Sequence, residues 1–276
     1  MLLGIIHPHN LQIVERFGGN FMEQKIIKLI ENFALDLSGI LENSIIDIII
    51  HGSAVTGGFI KGKGDIDFLI FTNGKISDAQ KEQIFRYHRN IRMKKTLASQ
   101  LEGCYYSLDQ ERQVIGGIYL GTSERGWKEI DQIVHNKIGM AEILSNYYST
   151  HKSGILDEIF KFTWEEVKNE LKIQSKNNLS MIDEYDDYGF KVYAIYVSAR
   201  SLYTMEKKDF ISKGKSLKWI LEKERYHKYQ ELIEECSKLR NPLTQDEINE
   251  INKDKFRNIK EFLIEINSDI QRQSIR

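Results

Sequence analysis

The sequence predicts two domains: an α/β N-terminal domain over residues 1–160, with a mixed sheet and flanking helices, and an all-α C-terminal domain over residues 161–276. Three observations carry that expectation. Short β-branched runs, "SIIDIII" (44–50) and "DIDFLIFT" (65–72), alternate with amphipathic stretches in the first 125 residues. Beyond residue 125 the long apolar patterns have three-to-four spacing. A chain of 276 residues is also long enough to build two modest cores.

In order along the chain, residues 23–42 repeat Ile, Leu and Phe at helical spacing and predict a helix. Residues 44–50 and 65–72 predict strands, the second ended by Asn73-Gly74. Ser77 with Gln80 predicts a capping box that opens a basic helix running to about Lys95. "LEGCYYS" (101–107) and "QVIGGIYL" (113–120) predict a third and a fourth strand. "WKEIDQIVHNKIGMAEILSNYY" (127–148) reads as helical, as do the stretches beginning at Thr163, Gly189, Lys215, Tyr229 and Gln245. Thr163 with Glu166 and Thr244 with Glu247 predict two more capping boxes. The only prolines are Pro8 and Pro242, so no proline-rich linker marks the boundary near residue 160.

Composition excludes several classes. With 41% hydrophobic and 29% charged residues the chain is not of a disordered type. A formal charge of −1 argues against a protein that coats nucleic acid, and the basic run "FRYHRNIRMKK" reads as a solvated helix face. Cys104 and Cys236 stand far apart in no metal-like spacing, which fits a reducing compartment. The opening apolar stretch is too short for a secretion signal, and no run reaches membrane-spanning length. The expectation is a cytoplasmic, monomeric protein with no membrane or nucleic-acid partner.

The stretch "IIIHGSAVTGGFIKGKGDIDFLIF" (48–71) sets two carboxylates into a run that otherwise belongs in a core. Strand side chains alternate, so Asp65 and Asp67 share one face while Ile66 and Phe68 take the other. Two carboxylates so placed repel each other unless a cation lies between them, and hard oxygen donors suit Mg²⁺ with substrate phosphates. Upstream, Gly52-Ser53 closes the first strand. A glycine there lets backbone N–H groups approach a phosphate, and Ser53 adds a hydroxyl donor. Without that context Asp65 would cap a turn and Asp67 would end a strand. His51, at the end of an apolar run, reads as a packing residue.

Gly-Ser followed by Asp-x-Asp resembles the nucleotidyltransferase superfamily that includes DNA polymerase β. Within it, "HGSAVTGGFIKGKGDIDFLI" resembles the aminoglycoside adenylyltransferases of the streptomycin and spectinomycin group. The resemblance continues in "VYAIYVSARSLYTMEKKDFISKGKSLKWIL", an apolar helix ending in Ala-Arg, then a Ser-Lys pair and a helix with Trp219. It covers roughly residues 25–240. It implies a polymerase-β-like core completed by a helical bundle, with ATP as co-substrate, two Mg²⁺ ions on Asp65 and Asp67, and AMP transfer to a cationic antibiotic. It further implies that Glu102, after Leu101 on the third strand, is the third catalytic carboxylate. Arg200 and Lys213 would contact ATP alongside Gly52 and Ser53.

In the acidic run "MIDEYDDYGF" (181–190), Asp186 matches the aspartate that holds the drug in streptomycin-modifying relatives, whereas Met181 stands where their tryptophan would be. That departure favours spectinomycin over streptomycin. Gly64 in place of a serine and the absence of a His-Gly turn in "THKSGILDEIF" are further departures. Two other readings stand beside this one: a nucleotidyltransferase acting on RNA or protein, of toxin–antitoxin type, and a non-catalytic nucleotide-binding regulator.

Overall fold

The structure is a computed structural model and describes residues 14–16, 22–62, 64–94, 96–121, 127–185, 187–239 and 243–273. In chain order the first part carries β1 (Val14–Arg16), α1 (Gln24–Leu41), β2 (Ile45–His51), α2 (Ser53–Thr56), β3 (Ile66–Asn73) and α3 (Asp78–Met93). Then come β4 (Leu101–Leu108), β5 (Val114–Leu120), β6 (Trp127–Ile130), α4 (Lys137–Ser145), β7 (Tyr147–Ser149) and α5 (Ile155–Ile159). Among the described residues seven strands form one sheet in the order β1-β7-β2-β3-β4-β5-β6. Among the described strand pairs only β3–β4 is parallel, because α3 and the 3₁₀ turn Leu97–Gln100 form the crossover between them.

The period-two runs explain which face is covered. Ile48 and Ile50 of β2, Ile66, Phe68 and Ile70 of β3, and Tyr105, Ile118 and Leu120 of β4 and β5 form one core. From α1 it takes the stripe Ile26, Ile30, Phe33, Leu37 and Leu41, at helical spacing; α3 adds Ile84 and Ile91. Each such side chain contributes about 1.5–3 kcal/mol by leaving water. α1 ends where Glu42 turns left-handed, its N–H bonded to the Ser38 carbonyl at 3.1 Å. α3 opens on the expected capping box of Ser77 and Gln80.

One expectation needs correction. Residues 127–148 are not a continuous helix. Trp127–Ile130 adds an edge strand antiparallel to β5, α4 begins only at Lys137 on its Asn136 cap, and Tyr147–Ser149 pairs with both β2 and β1. Apolar residues three or four apart also fit short strands joined by a turn, and the open edge of β5 decides between the two. Likewise the predicted helix from Gln245 breaks at Ile251, where Asn252 caps a 3₁₀ turn at Lys253–Phe256.

The chain divides into two compact units between Lys161 and Phe162. The second holds α6 (Trp164–Met181), α7 (Tyr188–Lys207), α8 (Lys213–Leu221), α9 (Gln230–Lys238), α10 (Gln245–Glu250) and α11 (Ile259–Arg272). Helix α7 buries residues all round, from Val192 to Met205, and packs against α6, α8 and α11. Capping boxes open α6 at Thr163 and α10 at Thr244, as the sequence predicts. No helix among the described residues is long and apolar enough to cross a membrane.

Candidate active site

The sheet register brings the predicted carboxylates together. Asp67 pairs with Glu102 across the parallel β3–β4 ladder and with His51 across the antiparallel β2–β3 ladder. Register partners project to the same side, so these three share the face opposite the core just described. Asp65 lies exposed just before β3, two residues from Asp67, as the alternation requires. Gly103, next to Glu102, lets the two strands meet this closely: a Cβ there would stand 1.9 Å from the Phe68 carbonyl oxygen.

Gly52 is fitted to Asp67. Its φ of +67° suits glycine, and a Cβ at this position would lie 2.2 Å from Asp67 Oδ2. Ser53 follows at the start of the single-turn α2, and its hydroxyl donates to the Asp65 carbonyl at 3.4 Å. Gly52 thus stands against Asp67, and Ser53 against Asp65.

Electrostatics mark Asp67 as the centre of this cluster. Burial pushes its carboxyl up to about 7, with the negative charges of Asp65, Glu102 and Glu142 adding to the shift. Glu142 was not foreseen. It sits on α4 within "GMAEILS", and its signal is one acid inside an otherwise apolar helical segment. His51 stays neutral: burial and neighbouring His135 hold its pKa at about 3, and the two rings meet edge-on at 5.8 Å.

The excess of negative charge around Asp67 and the all-oxygen donors fit Mg²⁺. Among the described residues no three His, Cys, Asp or Glu side chains stand close enough to form a metal cluster by themselves. Mg²⁺ commonly takes one or two carboxylates and completes its shell with phosphate oxygens and water.

Glu102 has neighbours that the sequence did not reveal. Tyr119 on β5 donates its hydroxyl to Glu102 Oε1, and Arg92 at the end of α3 donates Nη2 to the Gly121 carbonyl just beyond β5. Both contacts depend on the β4–β5 register, with Cys104 opposite Tyr119, which no local motif announces.

Comparison with known proteins bears on this arrangement. Residues 27–103, from α1 to the start of β4, match the family model of the nucleotidyltransferase domain. The matched segment holds Gly52, Ser53, Asp65, Asp67 and Glu102. The whole fold is similar to that of the spectinomycin adenyltransferase AAD(9) from Enterococcus faecialis, solved with ATP and spectinomycin. The TM-score is 0.57 at 16% identity, covering 89% of this chain and 99% of that one. No curated protein matches the sequence. A mixed sheet with flanking helices followed by a helical part is thus the fold that the resemblance implied.

The other residues expected from the sequence lie in the helical unit, outside the matched segment. Arg200, late in α7, is partly buried and donates Nε to the Ile211 carbonyl at 2.9 Å. That bond ties it to the turn leading into α8, whose first residue is Lys213. Arg200 is thus tied to the chain two residues ahead of Lys213. Asp186 lies outside the described residues. Met181 ends α6.

Proposed function

We propose that the protein transfers AMP from Mg-ATP to a hydroxyl of an aminoglycoside-type antibiotic, spectinomycin in preference to streptomycin, and releases pyrophosphate. The observation that carries this reading is the register pairing of Asp67 with Glu102, beside a glycine whose missing side chain leaves room at the Asp67 carboxylate. The ATP and spectinomycin bound by the solved adenyltransferase of similar fold support the choice of donor and acceptor.

Asp65 and Asp67 would hold two Mg²⁺ ions through their carboxylate oxygens. When bound, Mg²⁺ neutralises charge on the phosphate oxygens and orients the triphosphate. Gly52 and Ser53 steady the phosphates with a backbone N–H and a hydroxyl. Glu102 takes the proton from the acceptor hydroxyl as it attacks the α-phosphate. Arg200 and Lys213 contribute positive charge to the nucleotide, and Asp186 holds a cationic group of the acceptor. Such chemistry needs no protein nucleophile, because positioning and electrostatics supply most of the rate.

The test is pyrophosphate release from Mg-ATP across spectinomycin, streptomycin, other aminoglycosides and lincosamides. Release is expected with spectinomycin and not in Asp67→Asn. An absence of release with every acceptor, while Mg-ATP still binds, would contradict the reading.

A further inference from the structure

Glu102 stands near the start of β4, and a glutamate side chain there has three rotatable bonds. A base that abstracts a hydroxyl proton must be aimed, since a displacement of about 1 Å can cost on the order of a hundredfold in rate. The structure supplies the means. Tyr119, partly buried on the neighbouring strand, donates its hydroxyl to Glu102 Oε1. Its Cα register partner is Cys104, two residues beyond Glu102, so the phenol reaches diagonally along the same face of the sheet.

Arg92 backs this contact. Its guanidinium is anchored on the Gly121 carbonyl, its Nε is buried with no hydrogen-bond partner among the described residues, and Glu102 and Tyr119 are the groups that act on its charge.

The geometry points to Tyr119 as the residue that positions Glu102, holding its Oε1 so that the carboxylate is aimed at the acceptor hydroxyl. Tyr119 acts through Glu102. This inference rests on the reading of Glu102 as the acceptor base.

The test is a double-mutant cycle on AMP transfer with Tyr119→Phe, Glu102→Gln and the pair, measuring kcat, the KM for each substrate and Mg-ATP binding. Tyr119→Phe keeps the ring and its packing. It is expected to lower kcat roughly tenfold, the scale of one charge-assisted hydrogen bond, with Mg-ATP binding unchanged. In the Glu102→Gln background the same change is expected to cost nothing further. If Tyr119→Phe fails to fold, a fluorotyrosine at 119 alters only the strength of the donor. The rate should then follow phenol acidity in the wild type and be indifferent to it in Glu102→Gln. An equal loss in both backgrounds, or none in either, overturns the inference while leaving the transferase reading intact. A wild-type protein that transfers AMP to no acceptor contradicts that reading, and the inference with it.

Discussion

Single residues explain why this strand carries charge where a core residue would otherwise stand. Asp67 gains nothing from burial by itself, since desolvation and three neighbouring acids raise its pKa to about 7. Such a group is a cost to the fold that a bound cation would relieve. Its packing against Gly52 makes that glycine a sensitive position. Gly52→Ala combines a left-handed φ, costing about 1–2 kcal/mol, with a Cβ 2.2 Å from Asp67 Oδ2. The expected outcome is a lowered thermal midpoint and a loss of Mg-ATP binding, readable by melting and by calorimetry. An unchanged ATP affinity would mean that the Gly52–Asp67 contact is unrelated to the nucleotide. Short spacings within or beside strands suggested Gly52, Ser53, Asp65 and Asp67 in the sequence, whereas Glu102 came from the family resemblance. Tyr119, Arg92 and Glu142 were not legible, because strand register and helix placement, not local pattern, bring them to the site.

At the scale of elements, Asp47 ties strands of the sheet together. It lies on β2, is fully buried, and accepts from Ser149 Oγ and Ser153 Oγ, each at 2.7 Å, and from the backbone N–H groups of His151 and Ser153. These bonds tie β2 to β7 and the turn after it. Burial alone would raise the Asp47 pKa, but hydrogen bonds from His151, Ser153 and Ser149 outweigh it and hold the value below 3.8. A folded-state pKa below the unfolded one gives stability that is fully present above the unfolded value and disappears as pH falls through the folded one. Asp47→Ala is therefore expected to cost about 3 kcal/mol at neutral pH and progressively less below pH 4, measured by urea unfolding. A cost that does not change with pH would contradict the assignment. The same element shows where sequence reading stopped. The helices with capping boxes at Ser77, Thr163 and Thr244 were plain, since a capping box is local. β6 and β7 were not, since strands of four and three residues take their identity from the edge that they join.

For the molecule as a whole, the near-neutral formal charge argues against a polyanionic acceptor. With a formal charge of −1 the chain is expected to show no tight, steeply salt-dependent retention of RNA in filter binding. Retention that falls by orders of magnitude between low and moderate salt would favour RNA as the acceptor instead. The central claim is the identity of the group transferred. The direct measurement uses ATP labelled in the α- or the γ-phosphate, with Mg²⁺ and spectinomycin, followed by separation of the drug from the nucleotide. The account predicts that α-label moves to the drug, γ-label leaves as pyrophosphate, and Asp67→Asn abolishes both. Label from the γ-phosphate on the drug, or α-label transfer that survives in Asp67→Asn, would contradict it.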